Sequence, residues 1–296
     1  MASTTAQLRA SAQSRLRWEL LVGLVRKDLK IKYKDSTLGF AWSMLNPLVI
    51  MGVYYFVFVI ALGSGITDFV VYLMSGLLAW NFFNGAVMTA VGSVSGNANL
   101  VKKVRFSLPV LPLSSVGFAF VHYVLQMTVF VVALLIAGYT KFLGPQLVLV
   151  LPAFAVLITF AIALSLLVSA LNVRYRDVQH ILEVAMLAWF WLTPIVYQAG
   201  QVARAVHHKS LLFRAFFLDP MATVVATFQR AIYANTGSAT QIARGGAPLT
   251  RTMTLAAPGY LWYLEQCGLC LLISIALLLF GIRVFHRLQG DFAEEL

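Results

Sequence analysis

Charged residues are scarce in this chain of 296 residues, and acidic residues are scarcer than basic ones. Only 11% of the residues are Asp, Glu, Lys or Arg, whereas 60% are hydrophobic. A soluble domain carries about 25% charged residues, so a water-soluble fold of this size would lack the polar side chains to cover its surface. The deficit favours lipid as the solvent for much of the surface and predicts a membrane protein.

Cysteine is nearly absent. Cys267 and Cys270 have the C-x-x-C spacing of some redox pairs, but they lie inside the apolar run 261–280. Free cysteine behaves as a small, weakly polar side chain, so packing within a spanning helix is the preferred interpretation. A disulfide framework is excluded because two cysteines cannot form one.

Signatures of catalytic chemistry are missing as well. The sequence has no G-x-x-x-x-G-K-[ST] phosphate-binding loop, no H-E-x-x-H and no cluster of metal ligands. Glu183 and Glu265 lie near span ends, whereas ion-coupled transporters usually carry ionisable groups near mid-membrane. We expect no catalytic residue, no metal site and no cofactor bound by this chain. Energy for any transport would come from another subunit.

Apolar runs of about 20 residues predict six transmembrane helices. They cover residues 39–62, 71–91, 117–138, 147–171, 180–197 and 260–282. The net charge is +11, and the Lys and Arg residues cluster in the N-terminal segment and in the loops after the second and fourth spans. The positive-inside rule then places both termini in the cytoplasm. Because the charges lie between apolar runs, nucleic acid is not an expected partner.

The predicted fold class is therefore all-α. We expect a polytopic protein of the cytoplasmic (inner) membrane with a single transmembrane domain, residues 1–296, whose six spans occupy residues 39–282.

An amphipathic helix is predicted before the first span, over residues 16–34. Its apolar face comprises Trp18, Leu21, Val22, Val25 and Leu29. This spacing is typical of a helix lying in the cytoplasmic interface. The residues selected as functional in this interface helix are Trp18, Glu19, Arg26, Asp28 and Lys30.

A second non-spanning segment, residues 198–258, is predicted to form an external gate. It contains two apolar runs, 211–217 and 221–233, that are too short to span. Between them, Asp219-Pro220 is a helix-start signal with proline at the first helical position. We expect two short re-entrant helices in the outer leaflet, followed by an exposed loop over 235–249 that is rich in Gly, Ser and Thr.

His122 and Gln126 lie one turn apart in the third predicted span. Polar side chains within a membrane either form hydrogen bonds between helices or face a polar pathway. We favour hydrogen bonding between helices for this pair.

Five stretches of the chain resemble the permease subunits of polysaccharide-exporting ABC transporters. They are RKDLKIKYKDSTLGFAWSMLNP at 26–47, LVKKVRFSLPVLPLS at 100–114, NVRYRDV at 172–178, WLTPIVY at 191–197 and DPM at 219–221. Their order along the chain is more specific than any one of them. Asp219 stands where asparagine is common in that family, which should preserve the helix cap.

The resemblance implies a homodimer of permeases with two cytoplasmic ABC ATPase subunits, which would bind ATP and Mg²⁺. It implies a lipid-linked polysaccharide as substrate and a coupling helix over 97–104. The residues implied to couple to the ATPase are Asn97, Leu100, Lys102, Lys103, Arg105, Arg174, Arg176 and Asp177.

Each coupling residue has an expected role. Asn97 would cap the helix, while Leu100 and Val101 would pack in a cleft of the partner. The basic residues would pair with acids of the partner, although topology alone also explains them. Arg174 and Asp177 are expected to pair on a helix face, which leaves Arg176 for lipid phosphate or the partner.

Aromatic side chains in or beside the spans are candidates to line a glycan channel. Sugar rings have apolar C–H faces that stack on aromatic rings, but an interfacial aromatic belt or core packing explains any single residue as well. The candidates for the channel and the gate are Trp42, Trp80, Trp189, Trp191, Tyr197 and Asp219.

The expected function is the membrane subunit of an ATP-driven exporter of lipid-linked polysaccharide, such as O-antigen, teichoic acid or cell-wall galactan. An ABC permease for a small lipid or drug is the first alternative. A membrane-embedded glycan-processing enzyme is the second, and the scarcity of acidic residues disfavours it.

Overall fold

The structure, a computed structural model, describes residues 2–34, 41–61, 68–103, 106–139, 144–205, 210–233, 240–242, 248–250, 255–256 and 259–296. Its α-helices within these ranges are α1 Ala2–Tyr33, α2 Ala41–Tyr55, α3 Phe69–Val91, α4 Ala98–Lys103, α5 Val110–Ile136, α6 Val150–Arg174, α7 Val178–Leu192, α8 Ala199–Ala205, α9 Ser210–Phe216, α10 Pro220–Ile232, α11 Tyr260–Leu288 and α12 Phe292–Glu295. A π-helical turn, Phe56–Ala61, extends α2, and 3-10 turns Ser95–Asn97 and Pro145–Leu149 precede α4 and α6.

Among the residues that the structure describes, four helices are long and apolar enough to cross a membrane: α3, α5, α6 with its preceding 3-10 turn, and α11. They correspond to the second, third, fourth and sixth predicted spans. The observed α5 begins earlier than predicted, at Val110, and α11 continues to Leu288. A helix does not have to end where its apolar run ends, since polar residues can continue it into water.

The first and fifth predicted spans correspond to shorter apolar helices, α2 with its π-helical turn and α7. The 15 residues of α7 extend about 22 Å at 1.5 Å per residue, less than the ~30 Å hydrocarbon core. The helix ends before Thr193, which is extended because Pro194 disfavours the helical conformation in the residue before it. A six-span layout stays a prediction for these two helices.

Helix α3 is the centre of the packing. Tyr72, Leu78 and Phe83 are fully buried, and α3 packs against α5, α6 and α10. Helices α6 and α11 also pack closely, because Gly281 lies where an added Cβ would be 3.0 Å from the carbonyl oxygen of Ala163. Small residues commonly allow such close approach between membrane helices.

Helix α10 begins as the sequence predicts. Pro220 is its first residue, and an Asp219 carboxylate oxygen accepts a hydrogen bond from the Met221 backbone N–H at 3.0 Å. Its surroundings were not predicted, because every residue from Pro220 to Ile232 except Arg230 is buried, among α3, α6 and α11. The re-entrant helix is thus enclosed by protein on most of its circumference.

The rest of the segment that is predicted to be external departs from the expected layout in two ways. Helix α8 was not predicted. Within the expected loop over 235–249 and just beyond it, strands β1 Thr240–Ile242 and β2 Pro248–Thr250 pair antiparallel, with Thr240 opposite Thr250. Strands of three residues are too short to show an alternating pattern in the sequence.

Gly76→Ala is expected to destabilise the packing of α10 against α3. A Cβ at Gly76 would lie 2.8 Å from Val225 Cγ1. Val225 is β-branched and stiff, and overpacking a core costs about 1–3 kcal/mol. The melting temperature of the detergent-purified protein should fall.

Gly85→Ala in the same helix is the matched control. An added Cβ there would lie 4.0 Å from Ala119 Cβ, an ordinary contact, and alanine favours a helix over glycine by about 1 kcal/mol. Equal melting temperatures for the two variants would contradict the close contact at Gly76.

Candidate functional site

A short helix, α4, lies where the coupling helix is predicted, between α3 and α5, and its coupling role stays a prediction. Lys102 and Lys103 end this helix, and both side chains are exposed, as docking to a partner requires. Val104 and Arg105 lie outside the described residues.

Leu100 and Val101 already contact side chains of their own chain, and their packing in a cleft of the partner stays a prediction. Both are half-buried against a group of buried side chains that we call the cytoplasmic cluster, after the side of the membrane on which the sequence predicts it. A short helix in water gains by burying its apolar side chains on its own chain. The cluster consists of Val94, Leu111, Leu166, Ala170, Val173, Phe285 and Phe292.

Asn97 connects two helices instead of capping one. It lies in the 3-10 turn before α4, and its side-chain nitrogen donates to the Ser93 carbonyl oxygen at 2.8 Å. Its side-chain oxygen accepts a hydrogen bond from Lys27 Nζ at 3.2 Å. Helix α1 is therefore joined directly to the turn that leads into α4.

The interface helix is longer than predicted, and part of its apolar face contacts protein. Helix α1 packs against α5, where Val25 Cγ2 lies 3.0 Å from the position of a Cβ on Gly117. Trp18, which the pattern places on the same face, is 66% exposed. Of the charged residues selected from the sequence, Asp28 is half-buried and lies 3.7 Å from Lys27, whereas Glu19, Arg26 and Lys30 are exposed.

A polar contact attaches the end of α1 to α5. The Tyr33 hydroxyl lies 2.6 Å from His122 Nε2, and His122 Nδ1 lies 3.0 Å from the Phe118 carbonyl oxygen. Since Nδ1 faces an acceptor, a neutral ring carries its proton there, and Nε2 accepts from Tyr33. This arrangement confirms the expectation that His122 forms a hydrogen bond to another helix.

Lys32 lies beside this contact. Its Nζ is 3.2 Å from His122 Nε2 and 5.3 Å from the centre of the Phe118 ring. Burial lowers the pKa of the Lys32 ammonium, because the helix contact removes part of its water. Sequence pattern singled out His122 but not the two residues of α1 that meet it.

The NVRYRDV motif lies where α6 ends and α7 begins. Arg174, Arg176 and Asp177 are exposed, and the structure forms no salt bridge between Arg174 and Asp177. The expected pairing fails because α6 ends at Arg174 and Tyr175 is extended, so the two residues do not share a helix face. The Arg174 guanidinium instead lies 5.9 Å from the Tyr175 ring.

At the other end of the molecule, Asp219 joins two helices. One carboxylate oxygen caps α10, and the other accepts a hydrogen bond from Trp189 Nε1 of α7 at 2.9 Å. Burial raises the pKa of Asp219, and the hydrogen bonds from Trp189 and Met221 act in the opposite direction. Sequence pattern predicted the cap but not the bond to Trp189.

The predicted channel residues differ in how much of each side chain is exposed. Trp80 is 4% exposed and packs against Phe83 and Trp189, so its geometry favours core packing over channel lining. Trp191 is 54% exposed and presents its ring to the surroundings. Tyr197 is half-buried, and its hydroxyl donates to the Leu192 carbonyl oxygen. The side chain of Trp42, in α2, lies outside the described residues.

In the part of the chain that the structure describes, no group of three or more His, Cys, Asp or Glu side chains could hold a metal ion. Cys267 and Cys270 are buried and free, and Cys270 Sγ lies 3.3 Å from the Phe217 carbonyl oxygen. The geometry of both cysteines is that of packing residues.

Comparison with known proteins finds similarity over most of the chain. The family described as ABC-2 type transporter matches residues 19–216. An O-antigen export system permease protein RfbA from Myxococcus xanthus is 33% identical over 216 residues, which are 72% of this chain and 80% of that protein. Two proteins of the same name from Klebsiella pneumoniae are 28% and 26% identical over 280 and 282 residues, 94% of this chain and 95% of each relative.

Asp219→Ala is expected to lower the melting temperature more than Asp219→Asn does. Alanine removes both acceptors and leaves the Trp189 and Met221 N–H groups without their partner. Losing the cap costs about 1 kcal/mol, and an unsatisfied buried donor costs about 1–3 kcal/mol. Asparagine keeps one oxygen for the cap. Identical melting temperatures for the two variants would show that the side-chain oxygens contribute nothing.

Tyr33→Phe is expected to loosen the end of α1. The ring remains, but the hydrogen bond to His122 is lost, at a cost of about 0.5–1.5 kcal/mol. Trypsin should then cleave faster after Arg26 and Lys30, which are exposed. Tyr175→Phe is the control, since that ring is exposed near α7 and far from α1 in the chain. An unchanged cleavage rate in Tyr33→Phe would contradict the attachment.

Proposed function

Since the chain belongs to the ABC-2 type transporter family, as a permease of that family, we propose that it is the transmembrane subunit of an ATP-driven exporter of lipid-linked polysaccharide. The observation that carries the substrate class is the similarity, over nearly the whole chain, to proteins named as O-antigen export system permeases. In this proposal the glycan leaves the cytoplasm across the inner membrane, and both termini of the chain are cytoplasmic.

Transport and ATP hydrolysis would be carried out by two different subunits. The permease family implies an ABC ATPase partner, and this sequence has no phosphate-binding loop of its own. ATP and Mg²⁺ would therefore bind to the partner. The exposed Lys102 and Lys103 of α4 are suited to pair with acidic groups of that ATPase.

Force from the ATPase would reach the spans through contacts at the cytoplasmic cluster. Helix α4 packs on this cluster, which includes Leu111 of α5, Leu166 of α6 and Phe285 of α11. The bond between Lys27 and Asn97 joins α1 to the 3-10 turn before α4, and the bond between Tyr33 and His122 joins α1 to α5. A displacement of α4 would thus be shared among several helices.

A homodimer across α2 and α7 fits the packing of the single chain. Within α7 only Leu182 and Met186 are buried, and the apolar Ile181, Val184 and Leu187 are exposed. Helix α2 with its π-helical turn is similarly exposed along much of its length. We infer that these faces meet a second copy of the chain and that the glycan advances between the copies, beside Trp191.

The external gate of this exporter would be the segment from α8 to α10. The bond from Trp189 to Asp219 joins α7 to the start of α10. If α7 lines the path of the glycan, this hydrogen bond would transmit a movement of α7 to the start of α10. The buried α10 would be the fixed part of the gate, since α3, α6 and α11 hold it.

Both alternatives raised by the sequence are less well supported. The names of the relatives favour a polysaccharide over a small lipid or drug. A glycan-processing enzyme fits poorly with membership of a transporter family.

Deleting the gene for this chain should abolish surface polysaccharide and leave the lipid-linked glycan on the cytoplasmic side of the inner membrane. The wild-type gene should restore export, and the purified complex should contain two permease and two ATPase chains by native mass spectrometry. Unchanged surface polysaccharide after deletion would refute the proposal.

Lys102→Glu combined with Lys103→Glu should weaken association with the ATPase subunit. Placing like charges at a docking surface costs up to several kcal/mol, so recovery of the ATPase should fall roughly tenfold or more. The measurement is the molar ratio of ATPase to permease after affinity purification at low salt.

Arg283→Glu combined with Arg287→Glu is the matched control. It reverses two exposed basic residues near the end of α11 and changes the net charge equally. If both pairs reduce recovery alike, or if neither does, the α4 lysines have no specific role in docking.

A further inference from the structure

Helix α12 is short, yet one of its side chains is fully buried. Phe292 is 0% exposed, and its ring meets that of Phe285 edge-on, with the ring centres 5.4 Å apart. A helix of four residues has no independent stability in water, because nucleation alone is unfavourable. The position of α12 therefore depends on the cytoplasmic cluster, in which Phe292 is packed.

The neighbours of α12 are the coupling helix and the fourth span. Helix α12 packs against α4 and against α6. From the other side, Leu100 and Val101 of α4 pack on the cluster that contains Phe292, and so does Leu296 beyond α12. Two short helices thus share one small apolar core at the cytoplasmic ends of α6 and α11.

Helix α4 depends on this core for its orientation. It has six residues, and its described tertiary packing runs through Leu100 and Val101. Of the cluster side chains, Leu111, Leu166, Ala170, Val173 and Phe285 belong to long helices that the membrane also holds. Phe292 is supplied by α12, so its removal opens the core without altering a span.

We propose that α12 is part of the coupling apparatus and that Phe292 is a positioning residue, which holds α4 in the orientation that the ATPase subunit binds. This proposal rests on the proposed function, since it concerns the same docking surface. Without Phe292, α4 samples other orientations. If it occupies the docking orientation a tenth of the time, the apparent affinity for the ATPase falls tenfold.

The test is Phe292→Ala in the full chain, coexpressed with its ATPase subunit. The readout is the amount of ATPase recovered per mole of permease that elutes as a monodisperse peak, which excludes unfolded chains from the ratio. We expect this ratio to fall roughly tenfold, while the monodisperse fraction changes little, because the buried spans are untouched. Phe292→Leu, which refills most of the volume, should restore most of the ratio.

Ala293→Ser is the matched control, because Ala293 is the exposed neighbour of Phe292 on the same helix. Its ratio should equal that of the wild type. If Phe292→Ala lowers only the monodisperse fraction and leaves the ratio unchanged, Phe292 is a structural residue and the proposal is overturned.

A double-mutant cycle with a residue of α4 tests the proposal independently. Val101→Ala removes a contact with the same cluster and should reduce the ratio by itself. Because both changes release the same helix, Val101→Ala combined with Phe292→Ala should be little worse than the stronger single variant. Fully additive losses would overturn the shared mechanism.

Failure of this proposal is distinguishable from failure of the proposed function. If the wild-type permease recovers the ATPase and supports export, and Phe292→Ala does both equally well, only the role of α12 is refuted. If the wild-type chain recovers no ATPase, the exporter assignment itself is refuted.

Discussion

Helix α10 lies among three spans, where neither lipid nor water can satisfy its polar groups. Thr223 donates to the Phe217 carbonyl oxygen and Thr227 donates to that of Thr223. Gln229 donates to the Pro194 carbonyl oxygen at 3.0 Å, in the irregular segment after α7. Pro194 lies after the end of α7, and the Gln229 side chain of α10 supplies the hydrogen-bond partner of its carbonyl group. The other elements of this half of the molecule pack around α10.

The central span completes this arrangement. The Tyr72 hydroxyl of α3 donates to the Tyr197 carbonyl oxygen at 2.7 Å, and Gly76 lets α10 approach α3 closely. The opposite half, which the sequence predicts to be cytoplasmic, is built differently, since α1, α4 and α12 attach through a small apolar cluster and a few exposed or half-buried hydrogen bonds. The two ends of the molecule therefore differ: one has an extensively packed core, and the other has short or terminal elements that few contacts hold.

Prediction from sequence succeeded where the residues that determine a feature are neighbours in the chain. The apolar runs located α3, α5, α6 and α11, and Asp219-Pro220 located the start of α10. Prediction from sequence succeeded only in part where the same pattern is compatible with more than one structure. An apolar face such as that of α1 suits lipid or protein equally, and it took the packing of Val25 at Gly117 to distinguish them. Trp80 illustrates the same ambiguity between a channel and a core.

Length, apolar periodicity and cap chemistry act locally, so the class of protein, the main spans and the cap of α10 follow from the residues alone. The partner of each polar side chain follows only from the packing of the helices. Trp189 and Asp219 are 30 residues apart and Tyr33 and His122 are 89 apart. The residue type shows that each of these side chains can donate or accept a hydrogen bond, but only the packing of the helices determines its partner. Phe292 is the clearest case, since one aromatic residue after α11 has no pattern around it, and its burial in the cluster on which α4 packs exists only in the folded chain.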